Sequence, residues 1–260
     1  MSTNGVAFNA HWHLQNKVCY HVNITDFRHL IITPQTWTEV DGYTVSHLHP
    51  PSRPNSKALL DALRNSRDQG LPDIASYPVI AKFYALQCRA LGVKHALEIG
   101  TLGAYTSIFL ATENPGMQVT TVEVDPHHRD VAQQNLEHAG VSDQVTIRLG
   151  PGLEVVPQLA QDIASGQMPK LGFAYIDADK ENNWAYMDQI IDMCDSKAVI
   201  FVDNIVRGGK LVDPEWQGDK SVQGARQVVA MVGKDERVDG MVLQTVGEKS
   251  YDGMLMVLVK

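Results

Sequence analysis

Beyond residue 94 the chain alternates short apolar runs, rich in β-branched and aromatic residues, with longer amphipathic segments. The runs at 95–99, 118–122, 144–149, 171–176 and 196–202 predict buried strands. Helix-length segments with short connections fill the intervals, which is the pattern of a doubly wound parallel sheet. The ending changes character. Two further strand-like runs, 237–246 and 254–259, are separated only by Gly247 to Gly253, too short for a crossover helix, so an antiparallel hairpin should close one sheet edge. The predicted fold class is α/β: a doubly wound, seven-stranded, mostly parallel sheet with an antiparallel C-terminal hairpin.

Upstream of the sheet, 37–91 has a helical pattern, interrupted at Pro50-Pro51-Ser52-Arg53-Pro54 and Gly70-Leu71-Pro72. Ser56 is a candidate cap for the helix holding Ala58, Leu59, Ala62 and Leu63, and 77–91 supplies another helix. These helices should cover the sheet and one side of a pocket. Residues 1–35 differ, with four of the ten histidines (His11, His13, His21, His29), one acid (Asp26), two strong bases (Lys17, Arg28) and little periodicity. We expect a flexible appended arm there and a single domain over 36–260. His11-x-His13 and Cys19-x-His21 match no strong zinc template.

Composition narrows the field. At 260 residues, 44% hydrophobic and 20% charged, the chain can bury one sizeable core. A net charge of −8 argues against a nucleic-acid partner, which calls for a basic face. No apolar stretch approaches the roughly 20 residues that span a bilayer, so no membrane partner is expected, and no secretory leader opens the chain. Three scattered cysteines (Cys19, Cys88, Cys194) make no disulfide framework and suit a reducing compartment. A cytoplasmic location is expected. The acid-poor start leaves mitochondrial targeting as an alternative, opposed by its single arginine.

Candidate chemistry begins with two apolar runs that end in acid. Leu171-Gly172-Phe173-Ala174-Tyr175-Ile176 runs into Asp177, and Ala198-Val199-Ile200-Phe201-Val202 runs into Asp203-Asn204, 26 positions later (203 − 177). Ligands of open α/β sheets collect at such strand ends. Two carboxylates and an amide oxygen suit a hard cation such as Mg²⁺; helix capping by Asp177 or Asp179 and a simple Asp-Asn turn are the structural alternatives. Lys180 follows in what looks like the first turn of a helix, where a cation opposes the helix dipole. Beside a bound cation it would suit a general base.

The first strand ends Leu97-Glu98-Ile99-Gly100-Thr101-Leu102-Gly103-Ala104, a turn that lets backbone approach a ligand. Glu123 lies 20 positions after Gly103 (123 − 103) and could bind both hydroxyls of a ribose. Both NAD and S-adenosylmethionine carry that ribose. Glu98 inside the turn favours the cationic sulfonium cofactor, because a carboxylate there would repel a pyrophosphate, and the dinucleotide spacing G-x-G-x-x-G is absent. An NAD-dependent oxidoreductase remains the alternative, as does a catalytically inactive cofactor-binding protein.

Three separated motifs, Leu97-Glu98-Ile99-Gly100-Thr101-Leu102-Gly103, Tyr175-Ile176-Asp177-Ala178-Asp179-Lys180 and Asp203-Asn204, resemble the cation-dependent O-methyltransferases that include the caffeoyl-coenzyme A and catechol enzymes, and Asp252-Gly253 resembles that family's Asp-Gly before the last strand. The resemblance covers roughly 37–260 and implies a Rossmann-like methyltransferase fold and a homodimer. It implies S-adenosylmethionine held around Glu98, Gly100, Thr101, Thr106, Glu123 and Asp177. It implies a divalent cation, Mg²⁺ with Mn²⁺ or Ca²⁺ as alternatives, on Asp177, Asp203 and Asn204, and Lys180 as catalytic base. Ala104 stands where the family usually has a second glycine, and Thr106 where it usually has serine. The acceptor would be a small phenolic molecule with vicinal hydroxyls, a catechol, flavonoid or phenylpropanoid-like compound. Trp184 and Trp216 are candidates to stack on it.

Overall fold

The computed structural model describes residues 34–247 and 250–260. The expectations for His11, His13, Cys19, His21 and His29 lie outside the described residues. Three helices come first, α1 (Pro34–Leu48), α2 (Ser56–Asp68) and α3 (Pro78–Leu91). Strands and helices then alternate: β1 (His95–Ile99), α4 (Tyr105–Glu113), β2 (Gln118–Glu123), α5 (Pro126–Ala139), β3 (Val145–Leu149), α6 (Gly152–Ala164), β4 (Leu171–Ile176), α7 (Asn183–Met193) and β5 (Cys194–Val202). The chain closes with α8 (Lys220–Val232), β6 (Val238–Val246) and β7 (Tyr251–Val259). Among the described residues, no helix is long and apolar enough to cross a membrane.

The seven strands form one sheet in the order β3-β2-β1-β4-β5-β7-β6. β1 to β5 are parallel, and β7 runs antiparallel to both β5 and β6. The predicted hairpin is present, with its second strand against the parallel sheet and its first on the outside. Burial explains the choice: Met254, Leu255 and Val257 of β7 are buried, whereas β6 leaves Met241, Leu243 and Val246 exposed. An edge strand tolerates solvent on one face; a central one, covered on both, needs a nearly continuous apolar run.

Side chains alternate between two cores. Leu97, Ile99, Ile176, Ile200 and Val202 face one way with Val156, Ile190 and Val228 of α6, α7 and α8. Ala96, Phe173, Tyr175 and Phe201 face the other with α2 to α5. Tyr84 of α3 fills the centre of that second face, its ring 4.6 Å from Tyr175 and 4.9 Å from Phe201.

Ser56 does not cap α2. It is the first helical residue, and its hydroxyl donates to the Pro50 carbonyl at 3.0 Å. Asn55 occupies the capping position, but its amide is drawn to Thr112 (3.1 Å) and Glu113 (3.2 Å). Glu113 explains this recruitment. Its carboxylate is 8% exposed and binds Arg53 at 2.6 Å, Lys82 at 2.7 Å and Arg89 at 2.7 Å, fastening the Pro-rich interruption and α3 to α4. Burial alone would raise its pKa, but the hydrogen bonds from Lys82 and Arg89 and the nearby cations outweigh it and hold it below the usual value.

A depressed carboxyl stabilises the fold above its unfolded pKa and loses that contribution as pH falls through the folded one. Glu113→Gln should therefore lower stability at neutral pH by about 3 kcal/mol. Denaturant melts should show this deficit shrinking in acid; a constant deficit at all pH values would contradict the ion-pair account.

Candidate active site

The carboxyl ends of β1, β2, β4 and β5 open on one cavity of about 980 Å³. Its floor is a backbone contact. Gly100 has φ of +104°, and a Cβ there would stand 2.3 Å from the Asp177 carbonyl oxygen. Only glycine lets the turn after β1 lie on the end of β4. Leu102 and Ala104 are also left-handed, with φ of +51° and +61°. Glycine is at ease in that conformation, and alanine at 104 adopts it at a cost of about 1 kcal/mol.

Glu98 is 1% exposed and accepts hydrogen bonds from the Ser107 hydroxyl and, at 2.8 Å, from Thr121. Burial, opposed by these bonds, pushes its carboxyl up to about 7. Thr101 lines the cavity with its hydroxyl 2.6 Å from that of Thr121. Thr106, on the first turn of α4, donates to Ser76 at 2.9 Å. At the end of β2, Glu123 accepts from the Leu102 amide at 2.8 Å and from Val124 and Asp125 at 3.0 Å each. Three backbone amides thus fix its orientation.

Asp177 and Asp203 follow Ile176 and Val202, which are partners in the parallel register of β4 and β5. The two acids are brought together as their spacing predicts. Burial and the Asp177 charge push the Asp203 carboxyl up to about 6. Lys180 binds Asp177 Oδ1 at 2.5 Å. The Tyr175 hydroxyl donates to Asp177 Oδ2 at 2.8 Å and lies 3.3 Å from Asp203 Oδ2. Asn204 has φ of +55° and donates to Asp252 Oδ2 at 3.3 Å. Asp252 Oδ1 accepts from the Val206, Arg207 and Gly253 amides, so the Asp-Gly of β7 shapes the loop after β5.

Two local expectations change. Lys180 does not open an α-helix; it begins a 3₁₀ turn, Lys180–Asn182, that precedes α7, so a helix dipole is not what it opposes. Asp179 makes no side-chain cap bond and instead accepts from Tyr186 at 2.5 Å and from the Asn182 amide group. Trp184 packs against the core on the α7 side of the sheet, and Trp216 lies beneath Lys210, whose Nζ is 3.6 Å from its ring centroid. Neither lines the cavity. No role is read from the sequence for Ser76 or the Gly150-Pro151-Gly152 turn, which line the cavity, or for the Tyr175 hydroxyl, which touches both acids. A Cβ on Gly152 would stand 2.8 Å from the Tyr186 ring, so that glycine admits close packing beside the cavity.

The donor set fits a hard divalent cation. Two carboxylates crowd one strand edge with a single ammonium against them, and an additional cation would relieve the like charge that raises Asp203. Among the described residues no group of three or more His, Cys, Asp and Glu side chains is arranged to hold a metal. The grouping here has two such acids, and Asn204 lines the same cavity with its amide nitrogen turned to Asp252.

A parallel sheet with one antiparallel strand inserted beside the last parallel strand, a glycine turn after β1 and acids at four strand ends together describe an open α/β protein that binds its ligand at the strand ends. Residues 53–260 match the O-methyltransferase family, so the chain belongs to that family and is an S-adenosylmethionine-dependent O-methyltransferase. The O-methyltransferase imqG of Aspergillus flavus is 48% identical over 225 residues, 86% of this chain and 91% of that one. A catechol O-methyltransferase of Mycobacterium tuberculosis is 39% identical over 204 residues, 78% of this chain and 89% of that one. The Bacillus cereus O-methyltransferase, solved with SAH, superposes with a TM-score of 0.80 at 36% identity, covering 88% of this chain and all of that one.

Gly224 of α8 packs on the turn that carries Lys180; a Cβ there would stand 2.0 Å from the Lys180 carbonyl oxygen. Gly224→Ala should overpack this contact and lower stability by about 1–3 kcal/mol. Thermal melts check it, and a wild-type midpoint would show that the turn yields freely.

Proposed function

We propose that this enzyme transfers a methyl group from S-adenosylmethionine to one hydroxyl of a vicinal-dihydroxy aromatic acceptor, with a divalent cation, Mg²⁺ first among the candidates, in the site. The supporting observation is the pairing of Asp177, Asp203 and Lys180 at adjacent strand ends with Glu98 and Glu123 in the same cavity. The identity to a catechol O-methyltransferase supports the acceptor class.

In this reading Glu98 takes the cofactor's ammonium and Glu123 its ribose hydroxyls, with Gly100, Thr101 and Thr106 beside the methionine portion. Asp177, Asp203 and Asn204 hold the cation, and Asp177 also borders the cofactor. The chemistry that a bound cation supplies is stabilisation of phenolate over phenol. Lys180 Nζ stands at the rim of the acid pair as an ammonium on Asp177; once that ammonium has released a proton to solvent, the neutral amine accepts the acceptor's proton. Ile74, Ile80 and Val246 give the cavity an apolar wall against which a ring can lie. Holding the phenolate oxygen in line with the sulfonium methyl supplies several kcal/mol of barrier reduction, by order of magnitude. A homodimer, as family membership suggests, completes the reading, with light scattering as its check.

Excess chelator should abolish methyl transfer to catechol and Mg²⁺ should restore it, while Asp203→Ala should remain inactive at any Mg²⁺ concentration. Transfer that survives chelation would sink the metal assignment. Lys180→Ala should cut turnover by about 10²–10⁴-fold, the range for a lost acid–base group, with cofactor affinity retained; unchanged turnover at neutral pH would remove the base assignment.

Glu98 gives a pH signature. Its raised pKa means that the protonated, uncharged form dominates below about 7, where it cannot pair with the cofactor's ammonium. Affinity for S-adenosylmethionine by calorimetry should rise as pH increases toward 7 and fall again above about 8, where the cofactor's α-amino group loses its proton. Glu98→Gln should bind weakly with the rise toward 7 removed, whereas the same rise in the variant would assign it to another group.

A further inference from the structure

Tyr175 is the polar group of β4 that the proposed reaction leaves without a task. It is 1% exposed and stands two residues before Asp177, on the same face of the strand. Its hydroxyl touches one oxygen of each acid, Asp177 Oδ2 at 2.8 Å and Asp203 Oδ2 at 3.3 Å, while Lys180 engages the other oxygen of Asp177. On its far side lies Ser76 Oγ at 3.2 Å, and Thr106 donates to Ser76 at 2.9 Å. A phenol has one proton to give and lone pairs with which to accept. With its proton directed at the carboxylates, Tyr175 accepts from Ser76, and Ser76 accepts from Thr106. The donor direction is therefore set from Thr106 through Ser76 to Tyr175, whose one proton is shared by the two acids, with the shorter contact to Asp177 at 2.8 Å and the longer to Asp203 at 3.3 Å.

The ring itself is confined. Tyr84 packs 4.6 Å from it, and Tyr84 is in turn held by Phe173 at 5.8 Å and Phe201 at 4.9 Å. A rigid donor thus stands between two carboxylates whose like charges would otherwise turn them apart. Loss of a group that orients metal ligands in this way costs about 10- to 100-fold in metal affinity. We infer that Tyr175 is a positioning residue for the cation site: its buried hydroxyl holds Asp177 and Asp203 side by side in advance of the cation, and Ser76 holds that hydroxyl in register. The inference rests on the metal reading of Asp177 and Asp203 given above.

Phenylalanine at 175 keeps the aromatic slot filled and removes only the donor. The test is Mn²⁺ binding to the full chain, followed by calorimetry and by the electron-spin signal of free Mn²⁺, alongside methyl transfer to catechol across a range of Mg²⁺ concentrations. Tyr175→Phe should weaken Mn²⁺ binding by about 10- to 100-fold. It should raise KM for Mg²⁺ in parallel while kcat at saturating Mg²⁺ stays near that of the wild type. Ser76→Ala should weaken Mn²⁺ binding in the same direction by a smaller factor.

Wild-type Mn²⁺ affinity in Tyr175→Phe would overturn the inference, as would a fall in kcat with metal affinity unchanged, which would place the phenol among the reacting groups. Should Tyr175→Phe not fold, Ser76→Ala decides, and unaltered Mn²⁺ affinity there counts against the inference. Failure of the wild type itself to bind Mn²⁺ overturns the metal reading along with it. Binding that Asp203→Ala abolishes and Tyr175→Phe leaves intact overturns the positioning role alone.

Discussion

The architecture turns on a contact between two pieces of backbone, the turn at Gly100 and the carbonyl of Asp177. The Asp177 amide donates to the Ile99 carbonyl at 2.8 Å, extending the β1–β4 ladder to its last residue, and the absent side chain at 100 lets the following turn settle on top. Every distance in the cavity inherits from that approach. Glu98 and Asp177 belong to neighbouring strands whose register it fixes, and the next ladder carries the register on to Asp203 through its amide bond to the Ile176 carbonyl at 3.1 Å. A methyl donor and its acceptor must meet within a fraction of an ångström of the reactive geometry. Parallel strands locked at their ends provide that rigidity without long side chains.

Three buried or half-buried acids show how differently the fold treats charge. Glu113 is surrounded by cations, is held ionised and serves as a structural rivet between helices. Glu98 has only hydroxyl donors, and Asp203 has another acid beside it; both are pushed toward neutrality. Strongly raised carboxyls mark places where the protein alone leaves charge uncompensated. Both lie in the cavity, and the two cationic species proposed to bind there, a sulfonium cofactor with an ammonium group and a divalent metal, are the complements those acids lack.

Much of this was legible in the sequence, for identifiable reasons. Strand runs such as 95–99 and 171–176 are buried on both faces, so their composition is unambiguous and their ends coincide with the observed strands. The meeting of Asp177 and Asp203 follows from counting one helix and one strand between them. What escaped depended on contacts that spacing does not encode. Ser56 looked like a cap because α2's true capping residue, Asn55, is taken by a glutamate 58 positions away. The sequence puts Lys180 in the first turn of an α-helix, with Asp179 as a candidate cap, because a 3₁₀ turn and the start of α7 share one pattern. Trp184 and Trp216 follow the two acid-ended segments in sequence yet pack elsewhere. Tyr175 did carry a signal, a phenol within a strand otherwise apolar, since a buried hydroxyl requires partners. Ser76, in a connecting segment, carried none.

The placement of β7 has a consequence for how the molecule comes into being. The seventh strand in sequence lies inside the sheet, between β5 and β6, and its Asp252 shapes the loop that follows Asp203. During synthesis β1 to β5 can pair in the order in which they emerge, but one side of β5 stays open until residues 251–259 arrive. The nascent chain thus carries nearly all of its chemical groups while lacking the strand that sets part of their arrangement. A chain clipped within β7 would keep Glu98, Glu123, Asp177, Asp203 and Lys180 while exposing the open edge of β5 to other strands.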